Sequence, residues 1–182
     1  ILKINQSSNL VNLKWLIDWN IEEIVTNYFD LNRDYVSIQN NLSWIDTYMQ
    51  QSIKYWRGIR LLNQDLWETI ISFMISANNN IPRIKTIIDR LCTSYWTRME
   101  FEGKTYYAFP SPDNLKDVTV SDFRNLWLWF RDKRIFDMVR LVLNWKFSLS
   151  SLYKEDTEIV REKLININGI WPKVADCILL FS

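Results

Sequence analysis

Apolar positions recur along most of the chain at spacings of three and four, the period of an amphipathic helix. The most apolar run is Trp67-Glu68-Thr69-Ile70-Ile71-Ser72-Phe73-Met74-Ile75-Ser76, which predicts a buried helix with Asp65 as its N-cap. Asn78-Asn79-Asn80 interrupts it, because Asn favours caps and turns over helix interiors. Pro82 fits the first turn of the next helix, which carries Ile84, Ile87, Ile88 and Leu91 at core spacing. Upstream, helices are expected at about 33–43 and 45–56, whereas residues 1–32 are weakly patterned. Alternation across 98–109 around Glu102-Gly103 predicts a small β-hairpin, and Ser111-Pro112 opens a short helix. Helices follow at about 120–127, 132–146 and 155–166, and a last one opens at Pro172-Lys173. The class is mainly α with one small β-hairpin. No internal repeat or low-complexity tract interrupts it.

Composition narrows the chemistry. The formal charge of +1 gives no global signal for nucleic acid, so any such contact rests on local patches. Lys54/Arg57/Arg60, Arg83/Lys85/Arg90 and Arg131/Lys133/Arg134 are three such sets; each fits phosphate contacts and also an ordinary solvated helix face. The absence of His rules out a Ser-His or Cys-His nucleophile. Cys92 and Cys177 alone exclude a disulfide framework and a four-cysteine iron–sulfur cluster, and suit a reducing compartment. No apolar run reaches membrane-spanning length. The chain begins at Ile1 and stops inside a helical pattern at Ser182, so it is expected to be part of a longer protein. One pair of counts stands out: Gly 3 against Trp 10. At the usual frequency of about 7%, a chain this long carries roughly 13 glycines.

Lys173 is the candidate nucleophile. Pro172 pre-sets the helical φ, so Lys173 lies in a first turn, where the positive end of the helix dipole disfavours an ammonium. Val174, Ala175, Ile178, Leu179 and Phe181 surround it with apolar bulk. Burial would add to the dipole and favour a neutral, nucleophilic amine. Cys177, at i+4, shares its face. A lysine that snorkels at a helix start fits the same residues. Gly169-x-x-Pro-Lys before it suggests a hairpin between two helices, able to aim backbone N–H groups at a phosphate.

The segment NGIWPKVADCILLFS resembles the helix-hairpin-helix of base-excision DNA glycosylases of the endonuclease III-like superfamily, pattern L-P-G-V-G-x-K-V-A-D-C. Gly58-Ile59-Arg60-Leu61-Leu62-Asn63-Gln64-Asp65, the stretch Ser72 to Ile84, Tyr107-Ala108-Phe109-Pro110 and Leu126-Trp127-Leu128-Trp129-Phe130-Arg131 are similar to its 8-oxoguanine glycosylase/lyase branch. Together these ordered matches span roughly 26–182. The resemblance implies a glycosylase core over 33–182 ending in a helix-hairpin-helix at about 157–182, with 1–32 as the remnant of an N-terminal β domain. It implies base-excision repair: 8-oxoguanine is flipped from duplex DNA, Lys173 attacks C1′, and a Schiff base leads to β-elimination. Cys177 would lie against the flipped base. Asn78 and Arg83 would hold the cytosine left behind, Phe130 would wedge the opened duplex, and Arg131 would contact the same cytosine. Asn79, Gly169 and Trp171 complete the DNA-contacting set. The asparagines equally fit a cap and turn, Phe130 a core position, and Cys177 a small buried hydrophobe. Asp176 is expected to brace the hairpin. No cofactor or metal is implied. The partner implied is duplex DNA carrying 8-oxoguanine opposite cytosine, bound by a monomer in the bacterial cytoplasm at the nucleoid, away from membranes.

Two departures from that pattern matter. The family's catalytic aspartate, in a V-D-V segment, lies beyond Ser182, so the 182-residue chain is expected to be inactive by itself. Trp127, Trp129 and Trp171 also stand where the family has Gly, and Trp56 and Trp96 are placed in the same group, while Trp67 is native to the branch. Trp supplies neither positive φ nor close approach without strain and steric block. A UGA codon read as tryptophan where the cell reads glycine accounts for the counts.

Overall fold

A computed structural model describes residues 1–7, 10–15, 20–96 and 98–182. The chain divides into two compact units: Ile1–Leu16 together with Asp65–Ser182, and Ile17–Gln64. Strands β1 (Leu2–Ser7) and β2 (Leu10–Trp15) pair antiparallel, Leu2 opposite Trp15. The second unit holds α1 (Ile21–Tyr28), α2 (Tyr35–Ser43) and α3 (Thr47–Tyr55), none with a fully buried residue. Asn20, Asp34 and Asp46 cap them through side-chain oxygens that accept from the backbone N–H three residues on. Arg60 ties this unit together: it lies 4.5 Å from the Tyr35 ring centroid and donates to the Asp30 carbonyl at 2.7 Å. Helix α1 goes beyond the expectation for 1–32. Its stripe of Ile21, Ile24, Val25 and Tyr28 has helical spacing but spans only eight residues.

The other unit continues with α4 (Leu66–Ser76), α5 (Ile81–Tyr95), β3 (Arg98–Phe101), β4 (Lys104–Tyr107), α6 (Val120–Asn125), α7 (Asp132–Leu143), α8 (Leu149–Leu152), α9 (Thr157–Ile165) and α10 (Pro172–Phe181). Short 3-10 turns lie at Asp113–Leu115 and Trp129–Arg131. The mainly α helix-hairpin-helix class holds, with β1–β2 as a second strand pair beside the expected hairpin. Helix α4 is the centre. Asp65 caps it by accepting from the Glu68 N–H at 2.8 Å, and Leu66, Trp67, Ile70, Ile71, Met74 and Ile75 are buried. Packed against it are α5, α7 and α10, and α10 also packs on α9. Ile87, Leu91, Phe123, Ile135, Met138, Leu164, Ala175 and Ile178 complete the core. Each fully buried Leu, Ile or Phe contributes about 1.5–3 kcal/mol. The buried Trp67 indole N–H donates to the Pro110 carbonyl at 2.9 Å, so its one polar atom is satisfied.

Helix ends explain where the expected boundaries moved. Asn144 ends α7, and the Lys146 N–H reaches the Leu141 carbonyl at 3.0 Å while that of Trp145 reaches Val142 at 3.1 Å. This is a Schellman end, whose C′ residue takes positive φ and is usually Gly. Trp145 holds it with φ 57°, and the helix stops short of 146. Trp127 follows α6 in the same way, with φ 68° and an N–H bond to Arg124 at 3.0 Å, and Trp129 has φ 54°. The β3–β4 turn has Glu102 and Gly103 at φ 50° and 72°, matching a two-residue hairpin turn.

Glu102 also holds the leading hairpin. Lys3 and Lys14 each donate to its carboxylate at 2.5 Å. These two bonds, Lys14 first, hold its pKa down at about 2. A depressed carboxyl adds stability above its ordinary value of 4.5, and that stability is lost as pH falls through about 2. Amide exchange in β1 and β2 should therefore accelerate between pH 4.5 and 2 relative to α4. In E102Q the two strands should already exchange fast at pH 6 and show no step.

Candidate active site

Four segments converge beside α4. The first is the turn that ends it. Asn78 adopts φ 51°, a left-handed conformation that Asn tolerates better than most residues, and its side chain is exposed. Asn79 turns inward: its amide donates to the Ile75 carbonyl at 3.1 Å and its oxygen accepts from the Asn80 N–H at 3.0 Å. Asn80 caps α5 by accepting from the Arg83 N–H at 3.0 Å. Capping and turn formation thus account for two of the three asparagines, leaving Asn78 presented to solvent.

The second segment is the 3-10 turn Trp129–Arg131 before α7. Arg131 is 2% exposed, and its guanidinium donates to both the Ala77 and Asn78 carbonyls, Nε to Ala77 at 3.0 Å and Nη2 to Asn78 at 2.9 Å. Burial first, then the charges of Arg83 and Arg134, lower its pKa from the ordinary arginine value. This side chain, expected at a base edge, is instead engaged with backbone. Phe130 next to it is half exposed. Arg83 lies 4.2 Å from the Trp129 ring centroid, and its Nη2 is buried without a hydrogen-bond partner.

The third and fourth segments are the hairpin between α9 and α10 and the first turns of α10. Arg161 donates to Asp176 at 2.6 and 3.4 Å, so Asp176 braces the two helices as expected. That contact lowers the carboxyl pKa. Gly169 has φ 99°, and a Cβ there would lie 2.8 Å from Arg134 Cδ. The glycine therefore serves both the turn and a close approach, and the approaching group in this structure is an arginine stem. Trp171 occupies the N-cap position without a capping hydrogen bond and is 63% exposed.

Asn78, Phe130, Trp171, Lys173 and Cys177 line one cavity of about 460 Å³, within the range of small-ligand sites. Phe73, Ser76, Ala77, Arg134 and Val174 line it too. Arg83, Arg131, Asn79 and Gly169 are not among the residues that line it. Phe73 and Ser76 escaped sequence reasoning because they read as the polar and apolar faces of one buried helix; Arg134 carried a faint signal, three residues after Arg131. Lys173 is exposed, so the dry surroundings expected of it are absent. Among the described residues it forms no ion pair, and no carboxylate lines the cavity. The result is a cationic pocket with a free amine, a half-buried thiol and an aromatic edge. Cys92 is elsewhere in the core; burial, then Glu68 and Asp89, push its thiol up to about 11. No helix among the described residues is long and apolar enough to cross a membrane.

Comparison with known proteins places this geometry. Residues 2–70 match the family 8-oxoguanine DNA glycosylase, N-terminal domain. An N-glycosylase/DNA lyase of Saccharomyces cerevisiae is 37% identical over 138 residues, 69% of this chain and 37% of the relative. The solved 8-oxoguanine glycosylase/lyase of Clostridium acetobutylicum in its apo form is 36% identical with a TM-score of 0.92, covering all of this chain and 63% of that one. Its complex with double-stranded DNA containing cytosine opposite 8-oxoguanine gives 35% identity and a TM-score of 0.90. The chain spans less than two thirds of the length of these relatives.

The Arg131 contact gives a stability test. R131M removes bonds to two carbonyls and leaves both without their donor. Urea unfolding should show a loss of about 2–3 kcal/mol with unchanged m.

Proposed function

We propose that this chain, which belongs by sequence and fold to the 8-oxoguanine DNA glycosylase/lyase family of helix-hairpin-helix proteins, binds duplex DNA and presents Lys173 to a flipped 8-oxoguanine nucleotide opposite cytosine. The observation that carries this reading is that Lys173, Cys177, Asn78 and Phe130, from three separate segments, line one cavity. Two leading strands suit the end of an N-terminal β domain, and the place of work is DNA in the bacterial nucleoid.

The base enters the cavity, since C1′ is out of reach inside the stack. Phe130, half exposed at the rim, props the opened step, and Asn78 fills the space the base leaves. Arg83 and Arg131 flank Asn78 on the cytosine side. Arg131 reaches a base only by releasing the Ala77 and Asn78 carbonyls, so its resting role is to hold the turn. Cys177 lies one helical turn from Lys173 and packs on the inserted base. An exposed amine becomes the neutral nucleophile when the inserted nucleotide displaces water around it. Lys173 Nζ then bonds to C1′ as the glycosidic bond breaks and the base departs with the bonding pair. One amine proton passes to the departing base and the other to O4′ as the sugar ring opens, and a Schiff base between Nζ and C1′ remains. Loss of a C2′ proton expels the 3′ phosphate and nicks the strand.

Borohydride capture tests this directly, because only a Schiff base is reduced to a stable link. A preformed aldehyde needs only the amine, so on duplex DNA with an aldehydic abasic site opposite cytosine the chain should be captured even though base removal by the 182 residues alone is not expected. K173Q should abolish capture, and C177A should retain it. Binding without capture would leave a non-catalytic DNA-binding module. Equal competition by 8-oxoguanine and undamaged duplexes would point to a different damaged base.

A further inference from the structure

Arg134 is a cation that neither a carboxylate nor the mechanism above uses. It is half-buried and lines the cavity with Lys173, and its guanidinium lies 5.5 Å from the Phe130 ring centroid. Its aliphatic stem crosses Gly169 so closely that a Cβ there would meet Cδ, Cβ and Cγ at 2.8, 3.2 and 3.3 Å. Arg83 and Arg131 are near enough for their charges to interact, and none of the three forms an ion pair among the described residues. Like charges gathered without an acid repel one another, and an anion relieves that repulsion. We propose that Arg134 grips the phosphodiester beside the flipped nucleotide and so fixes C1′ against Lys173. The assignment rests on the reading of the site given above. A flipped nucleotide carries a phosphate on each side, and the planar guanidinium fork matches two phosphoryl oxygens. The missing side chain of Gly169 then has a second purpose: it seats the arginine. A methyl group there would press on the Arg134 stem from Cβ to Cδ, and at φ 99° it would also strain the turn of the hairpin.

Fluorescence anisotropy with a duplex holding a reduced, unreactive abasic site measures this without catalysis. R134M should weaken binding about tenfold and lower the slope of log K against log salt by about one. R134K should keep the slope and recover part of the affinity, because the charge remains and the fork is lost. An R134M chain with unchanged affinity and slope, beside a wild type that prefers the abasic duplex, overturns this assignment alone. A wild type with no preference for the abasic duplex overturns it together with the reading of the site.

Backbone conformation supports the glycine reading of Trp127 and Trp129 and not that of Trp171, Trp56 and Trp96, whose φ of −89°, −96° and −122° suits any residue. It adds Trp145, and we infer that the natural residue at Trp127, Trp129 and Trp145 is glycine. All three have φ between 54° and 68°, follow or open a helical turn, and expose 56%, 59% and 88% of their surface. A left-handed residue with a side chain costs roughly 1–2 kcal/mol, and a large exposed indole offsets little of it. Trp67 is the internal control, being buried in α4 with its N–H bonded. Glycine at 129 also removes the ring over Arg83 and opens its unpartnered Nη2 to a ligand. The gene should carry UGA at 127, 129 and 145 and UGG at 67; UGG at all four overturns the inference. The triple variant W127G/W129G/W145G should melt several degrees higher than the tryptophan chain, and a lower melting temperature overturns it as well.

Discussion

The guanidinium of Arg131 joins two parts of the chain that sequence separates widely. It leaves the turn before α7 and closes on the carbonyls at the end of α4. The Ala77 carbonyl is among the groups a helix end leaves unpaired and that of Asn78 belongs to the turn after it, so both are satisfied by one buried charge. The position of Asn78 depends on this bond, and so does the spacing between Asn78 and Phe130 across the cavity mouth. Neither residue belongs to a long element. Asn78 sits in a left-handed turn and Phe130 in a single 3-10 turn, and the arginine between them makes one rigid edge from two weak pieces.

The amine of Lys173 has no such constraint. It is exposed at the start of α10, in a cavity it shares with apolar side chains and Arg134. An amine placed there is not held dry. Under the proposed function, entry of the nucleotide supplies the low-dielectric surroundings, which links the chemistry to correct insertion. The ion pair of Arg161 with Asp176 fits the same logic, because it holds the acid of α10 on the hairpin side, in a bond to α9.

Most of the helices were legible from period and punctuation. Asp65, the asparagine triplet and Pro82 bounded α4 and α5 through cap and turn chemistry local to a few residues. Glu102-Gly103 marked its hairpin for the same reason. Helix α1 was not legible, since eight residues give too few repeats to separate a stripe from chance. The end of α7 was misjudged because Trp145 hides a position that glycine usually announces. In the site, Lys173 and Cys177 stand out from helix-start chemistry and spacing, Asn78 and Phe130 through motif resemblance, and all four line one cavity. Asn79 and Arg131 turned inward, which no spacing along the chain reports, because their partners are backbone carbonyls chosen by the tertiary fold.

Phe73 and Phe181 stack with ring centroids 5.9 Å apart and planes 21° from parallel. One belongs to α4 and the other to the last turn of α10. A helix advances about 100° per residue, so any slippage of α10 about its own axis would swing Lys173 away from the cavity. The stacked pair works as a rotational key, cut at the far end of the helix from the amine whose heading it sets.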